Sequence, residues 1–550
     1  MSYNIPYLAA LITDGYKVFH PFAYRPGTTH VYSNGTARFN KHSNVPNNAE
    51  IVHFGIQMAL QKLNTLWNEN FFKHPKEAVL AEYQRVISGY LGKKISVDHI
   101  AKLHDVGYLP IEVKSLPEGS LVPYGVPPYT IHNTVEGLGW VTNLLETPFS
   151  AEYWPAVTSA TTAFAYRSRF EQVPSLRAGG MIKFMGHDFS ARGLWGMFAP
   201  EQNGHLTSFV GTDSMVSGLA MEQYYDARID KELVMASVDA TEHSVMCSYE
   251  TENELESLIH LISNVTPNGI ISIVSDTWDF WQLVTQYLPQ IKDLIMSRDG
   301  TVVIRPDSGD PVEILCGLGN WVEVDARVYR KAAYHDDVSE SENNSYYKFF
   351  NEWKDCEYAK YKGTFYKIKR ESYHGYVELQ EEVPEHEVKG LVECLWDTFG
   401  GTEVDGLRLL DSHIGAIYGD SITLARQDQI IERLLAKGFV PSVVLGIGSF
   451  TYQYVTRDTH GFAIKATDIQ VGEGNHIAIS KDPKTDQSKK SAKGLLMVVK
   501  DGDSYRLVAD VTPEQEASEE NCLKTIFKDG EFVKRTSLAE IRARIDSHFA

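Results

Sequence analysis

Several short polar clusters in this chain combine residue types that handle phosphate, sugar hydroxyls or a divalent metal. Arg305-Pro306-Asp307-Ser308-Gly309-Asp310-Pro311 joins a cation, two carboxylates and a tight turn directly after the apolar run TVVI. A guanidinium can fork a phosphate while a carboxylate orients a hydroxyl or Mg²⁺; a capped turn with a surface ion pair is the plainer use of the same residues. Gly419-Asp420-Ser421 allows close ligand approach at the glycine, or simply caps the helical stretch SITLARQDQIIERLLAKG. Gly446-Ile447-Gly448-Ser449-Phe450 lies between a strand pattern and a helix, where backbone N–H groups cradle phosphate or a packing turn forms. His243, between Glu242 and Ser244, fits a base, a nucleophile toward phosphoryl groups or a structural imidazole. Asp276 and Asp279, after IISIVS, can bind Mg²⁺ together with substrate phosphates, or cap a helix.

These clusters need elements that bring them together. From about Met181 short apolar strands alternate with helical patterns, and several strands end in polar clusters: His187-Asp188-Phe189, Gly211-Thr212-Asp213, Glu242-His243-Ser244, Ser275 to Asp279, Arg305 to Gly309, Gly419 to Ser421 and Gly446 to Ser449. In a parallel α/β barrel all the strand carboxyl ends lie on one face, so distant clusters converge. An open doubly wound sheet collects ligands at one crevice, but no G-x-G-x-x-G follows the first strand. The barrel is the expected fold. Before it, HVYSNGTARF reads as a strand, Ile51 to Trp67 as a helix, a second helix starts at Pro75, and residues 109–134 alternate as short antiparallel strands. An insertion rich in Tyr, Glu, Lys and Asn spans 325–405, with a hairpin around Tyr373-His374-Gly375. KDPKTDQSKKSAKG reads as a loop, followed by a hairpin turning at Asp501-Gly502.

Length and composition narrow the function classes. The 550 residues are 43% hydrophobic, 23% charged and 11% aromatic, which is the balance of a globular protein with room for more than one core. With 72 acidic against 52 basic residues the net charge is -20, so nucleic acid is not an expected partner, although local cationic pockets for small phosphates remain open. Five widely spaced cysteines contain no C-x-x-C pair and read as reduced thiols. No secretory leader and no apolar run of about 20 residues is evident, so no membrane is expected and the compartment reads as cytoplasmic.

Taken together, ITDGYKVFH, LPIEVKSLPEGSLVPYG, WVTNLLET, GHDFSARG, FVGTDSMVSGLA, ATEHSVM, IVSDTWDF, VIRPDSGDPV, YGDSI, LGIGSF, VTRDT and the KDP loop resemble the nicotinate/nicotinamide phosphoribosyltransferase family, in the family's order and along nearly the whole chain except the insertion. The resemblance implies an irregular central α/β barrel over 177–454 beside a second α/β domain made from 1–176 and 455–550. It implies synthesis of nicotinamide mononucleotide and pyrophosphate from nicotinamide and 5-phosphoribosyl 1-pyrophosphate with Mg²⁺, in a homodimer with shared sites. Phe189 and Tyr16, the latter from the partner subunit, match the aromatics that sandwich the pyridine ring. Asp213 matches the acid that accepts the carboxamide N–H and disfavours nicotinate. Asp14, Arg192, Ser237, Ser275, Arg305, Asp307, Gly419, Asp420 and Gly448 match positions around nicotinamide, ribose and phosphate, with Asp279 and Asp307 nearest the metal. Arg38, Arg457, Lys465, Lys481 and Lys489 match pyrophosphate or nucleotide contacts. His243 matches the histidine phosphorylated when ATP, an optional activator, is coupled to synthesis.

Three departures accompany the match. Gly15 follows Asp14, Ser190-Ala191 stands beside Phe189, and Ile447 sits inside the phosphate loop, where its side chain limits ligand approach. Nicotinate phosphoribosyltransferase is the competing activity, and a non-catalytic ligand-binding barrel the competing class.

Overall fold

The alternating stretch HVYSNGT lies in the strand Thr28–Thr36, which pairs antiparallel with Ala463–Val471 and with Tyr129–Asn133. The sheet continues through Ile111–Ser115 to Lys524–Lys528 and Glu531–Phe532, and ends on its other edge in Asn475–Ala478. Segments from both ends of the sequence thus share one sheet. Gly35 faces Tyr129, and a β-carbon there would lie 2.1 Å from that side chain, so the close approach requires glycine. The computed structural model describes residues 5–324, 356–371, 376–419, 421–481 and 492–550. Two compact units divide the chain, the first comprising Met1–Ser168, Ser190–Ala236 and Ser449–Ala550, the second Arg169–Phe189 and Ser237–Gly448.

In the first unit the expected helix from Ile51 starts later. Glu50–Val52 is a strand paired with Leu121–Pro123, and the helix runs Ile56–Trp67. Gly55, at φ +96°, makes the turn between them, and the Gly55 and Gln57 N–H groups donate to the carboxylate of buried Glu118. Residues 190–236 also belong here, because Met221, Tyr224 and Tyr225 of the helix Met215–Tyr225 are buried with Phe54, Met58, Leu538 and Ile541. The stretch 177–454 is therefore not one continuous domain.

In the second unit the strands Gly186–Asp188, Val444–Ile447, Ile414–Tyr418, Val302–Arg305, Ile271–Val274 and Asp239–Ala240 lie side by side in that order, every pairing parallel. The central strands are apolar and mostly buried, as a sheet covered on both faces demands. This is an α/β half-barrel, and its strand carboxyl ends share one edge. The insertion forms its own sheet, Trp321–Val324, Tyr358–Tyr361, Thr364–Glu371 and Tyr376–Val383. It ends before 405, since the helix Leu391–Phe399 buries Leu391, Val392, Leu395 and Phe399 and packs on Pro311–Cys316 and Ile414–Tyr418. The expected 373–375 turn and most of the KDP loop lie outside the described residues.

Candidate active site

Three loops at the carboxyl edge of the half-barrel converge on one carboxylate. Asp276, just past Ile271–Val274, accepts from the Asp307 N–H at 3.0 Å and the Ser308 hydroxyl at 2.6 Å through Oδ2, while its Oδ1 lies 3.1 Å from His243 Nε2. Burial alone would raise the Asp276 carboxyl, but Ser308, the Asp307 N–H and His243 together hold it below its ordinary value. The loop 305–310 is further fixed by Tyr418, whose hydroxyl donates to the Gly309 carbonyl at 2.9 Å, and by Gly419 N–H on the Pro306 carbonyl at 3.3 Å. At Gly419 a β-carbon would stand 2.6 Å from Asp307 Oδ1, so only glycine leaves that carboxylate its place. Arg305 Nη2 donates to the Thr241 carbonyl at 2.6 Å, whereas its Nε is buried with no hydrogen-bond partner among the described residues. A buried donor of that kind, beside a carboxylate at an open loop, suits a ligand oxygen.

The remaining predicted residues of this unit divide clearly. Phe189, half-buried, packs on His187 with ring centroids 4.6 Å apart, and its N–H donates to the Ile447 carbonyl at 3.0 Å. Gly448 is buried directly after Val444–Ile447. Asp279 is a helix cap: its Oδ1 accepts from Gln282 N–H at 2.9 Å at the start of the helix Phe280–Gln282. Beside it, burial and the Asp279 charge push the Glu254 carboxyl up to about 7. Ser275 is fully buried and donates its hydroxyl to the Ile273 carbonyl at 2.7 Å, back onto the strand it follows. Ser237 is exposed before Asp239–Ala240. The helix after Gly419 is capped by Thr423, which accepts from Arg426 N–H, rather than by Ser421. Asp420 lies outside the described residues. Among the described residues no group of three or more His, Cys, Asp or Glu forms a metal cage.

The first unit carries a cationic cluster. Lys17 is 1% exposed and its ammonium lies 2.5 Å from Glu146, with Lys465 at 3.9 Å from the same carboxylate. Register places Lys465 opposite Asn34, and Arg38 follows that strand, donating to the Gly461 carbonyl at 2.8 Å. Burial first, then Arg38, Lys17 and Arg457, hold the Lys465 ammonium below the ordinary lysine range against the pull of Glu146. Two lysines sharing Glu146, with Arg457 paired to Asp458 at 3.2 Å, concentrate positive charge suited to a polyanion. Arg457 and Lys481 are exposed, and Lys489 lies outside the described residues. Asp14 accepts from the Thr147 hydroxyl at 2.7 Å, and Tyr16 beside it is 65% exposed. Arg192 and Asp213 are both exposed, Asp213 directly after the strand Gly211–Thr212.

Sequence reasoning missed the buried Lys17–Glu146 pair. Its signal was a lysine between the apolar stretches YLAALI and VF and an acid inside WVTNLLET, too far apart in sequence to be matched by spacing.

Residues 184–531 match the family model described as Nicotinate phosphoribosyltransferase (NAPRTase) family. The chain is 40% identical over 564 residues to a nicotinamide phosphoribosyltransferase of Acinetobacter baylyi, covering 99% of this chain and 98% of that protein. It is 26% identical to a nicotinamide phosphoribosyltransferase of Xanthomonas campestris, covering 98% of each. The fold is similar to the crystal structure of a nicotinate-nucleotide pyrophosphorylase from Pyrococcus furiosus, at a TM-score of 0.51 and 13% identity, covering 98% of this chain and 95% of that one. By the extent of these matches, together with the convergence of the Arg305, Asp276 and His243 loops, the chain belongs to the nicotinate phosphoribosyltransferase family.

Proposed function

We propose that this chain transfers the phosphoribosyl group of 5-phosphoribosyl 1-pyrophosphate to the ring nitrogen of nicotinamide, forming nicotinamide mononucleotide and pyrophosphate in NAD salvage. The observation that carries this reading is the near full-length similarity, at 40% identity, to the relative of that name. The anomeric carbon–oxygen bond to pyrophosphate breaks as the carbon–nitrogen bond forms, and positive charge develops on the ribose between them. Such a reaction needs a clamped leaving group and an oriented nucleophile rather than a protein nucleophile.

The residues take roles accordingly. Phe189, and Tyr16 of the partner subunit, would sandwich the pyridine ring, with Asp213 accepting the carboxamide N–H. Arg305, whose buried Nε has no partner among the described residues, would donate to a substrate phosphate, and Asp307 would orient the ribose. Arg38, Arg457, Lys465 and Lys481 would neutralise pyrophosphate. Asp307 suits Mg²⁺ by donor type, a carboxylate beside a phosphate-binding loop, and would help hold the ion jointly with phosphate oxygens, the ion supplying charge neutralisation. Asp279 fits that role less well, since one of its oxygens already caps a helix.

His243 would be the acceptor of the ATP γ-phosphoryl group. A carboxylate on Nε2 fixes the proton there and leaves the opposite nitrogen its lone pair, which forms the N–P bond as ADP departs. Homodimerisation with shared sites is supported by the exposed aromatics of the first unit, Tyr16 at 65%, Trp195 at 87% and Tyr454 at 80%. Five widely spaced cysteines with no C-x-x-C pair suit a reducing, cytoplasmic compartment.

The test is mononucleotide formation followed by mass, with phosphoribosyl pyrophosphate, Mg²⁺ and either nicotinamide or nicotinate, with and without ATP. The expected product is nicotinamide mononucleotide, raised by ATP and lost without Mg²⁺. Product chiefly from nicotinate would overturn the substrate assignment, and no product from either base would favour a ligand-binding protein.

A further inference from the structure

Among the described residues, the insertion between Trp321 and Val383 reaches the loop-bearing framework through a side-chain hydrogen bond. Tyr358, 8% exposed in the strand Tyr358–Tyr361, places its hydroxyl 3.2 Å from both carboxylate oxygens of Glu313. Glu313 sits in the first turn of the helix Pro311–Cys316, which begins where the loop 305–310 ends. Asp310 caps that helix, accepting from Val312 N–H at 2.9 Å and Glu313 N–H at 3.1 Å.

A helix of six residues holds no orientation by itself and depends on what packs against it. Its apolar side is buried through Val312, Leu315 and Cys316, but its first turn, which sets the exit of the loop, is tied down by the Tyr358 hydroxyl. Glu313 needs that donor. Its carboxyl is half-buried, and burial, with Asp310 and Glu357 nearby, raises it above the ordinary glutamate value, Tyr358 and Arg433 acting the other way. The chain leaving the insertion reinforces the same place. The Val388 carbonyl accepts from Leu318 N–H at 3.2 Å, and a β-carbon on Gly317 would stand 2.2 Å from that carbonyl, so the two backbones meet face to face. His386 lies 5.0 Å from Trp281 by ring centroids, two residues beyond the Asp279 cap.

We infer that the insertion is a brace for the active-site loop, with Tyr358 a positioning residue that acts through Glu313 and Asp310 on Asp307 and Ser308. Its kinetic consequence rests on the phosphoribosyl transfer proposed above; its structural consequence does not. Removing the hydroxyl leaves a half-buried carboxylate among acids, and the helix start shifts to bring it toward water. The loop that presents Asp307 then loses its fixed exit, and a substrate held by that loop binds less well.

Two measurements on the full chain test the brace, using Tyr358→Phe and the double variant Tyr358→Phe with Glu313→Gln. Hydrogen exchange of the free proteins is expected to rise across 305–316 in Tyr358→Phe, to stay unchanged across 271–274, and to return toward wild type in the double variant, where the uncompensated charge is gone. In steady-state assays the KM for phosphoribosyl pyrophosphate is expected to rise about fivefold, with kcat and the KM for nicotinamide within about twofold of wild type. Unchanged exchange across 305–316 overturns the brace, and so does a Tyr358→Phe defect that Glu313→Gln leaves in place. An inactive wild-type protein would overturn the transferase reading while the exchange result still decides the brace.

Discussion

The charged groups of the two units are arranged on opposite principles. In the second unit a single carboxylate, Asp276, is encircled by donors from His243, Asp307 and Ser308, so the loops are locked before any substrate arrives. In the first unit Lys17 and Lys465 share Glu146, with Arg38 and Arg457 close enough to depress Lys465, and although Arg457 pairs with Asp458 the cations outnumber these two acids. One arrangement fixes geometry and the other stores potential. Substitution at an anomeric carbon needs both, because misplacing the ribose costs rate while an unneutralised leaving group costs binding and rate together.

The sharpest way to break the comparison is to remove one group of each kind. Asp307→Ala is expected to lower kcat/KM by about 10²- to 10³-fold, comparable to losing an oriented transition-state partner, with the circular-dichroism spectrum and melting temperature near wild type. Lys465→Met keeps the aliphatic stem and removes only charge, so the KM for phosphoribosyl pyrophosphate is expected to rise about 10- to 100-fold with a smaller change in kcat. A kcat collapse in the lysine variant with unchanged KM would mean that the first unit also fixes geometry. Lys465 adds a pH signature. Its ammonium is held below the ordinary lysine value, so as pH rises it loses its proton before a free lysine would, and substrate binding weakens in that window. Lys465→Arg stays charged and should move that loss to higher pH.

How much of this was legible in the sequence follows the same division. The half-barrel was readable because a parallel sheet writes itself as repeated apolar strands ending in polar clusters, and IISIV, TVVI and SVVL do so. Within a cluster, spacing does not say which side chain turns inward. In SDTWD, Asp276 lies two residues past the strand and meets His243, while Asp279, three residues on, is already a helix cap. The same ambiguity hid Thr423, which caps the helix that Asp420 or Ser421 was expected to cap. Residues 190–236 read as part of the βα rhythm, yet they pack with the first unit because Tyr224 and Tyr225 find their apolar partners in Phe54 and Ile541, hundreds of residues away along the chain for the latter. Long-range burial of this kind leaves no local periodicity to detect.

Substrate choice sharpens the comparison at a smaller scale. Asp213→Asn removes the charge that would repel nicotinate while keeping a group able to bond the carboxamide, so the preference for nicotinamide over nicotinate is expected to fall about tenfold, measured as the ratio of kcat/KM values. An unchanged ratio would assign selectivity to another residue.

The smallest effect separates the two units without mutation. Raising ionic strength from about 0.01 M to about 0.15 M shortens the Debye length from about 30 Å to about 8 Å. Arg457 is exposed and Lys465 only partly buried, so their attraction for a polyanion is screened, whereas the bonds on Asp276 are short-range contacts at 2.6 to 3.1 Å. The KM for phosphoribosyl pyrophosphate is therefore expected to rise about threefold across that range while the KM for nicotinamide stays flat. If both constants moved together, the salt would be acting on the fold or on assembly rather than on stored potential, and the cationic cluster would lose its place as the pyrophosphate site. If neither moved, the cations would be acting as directional donors at fixed distances, and the first unit would then work by the same principle as the second.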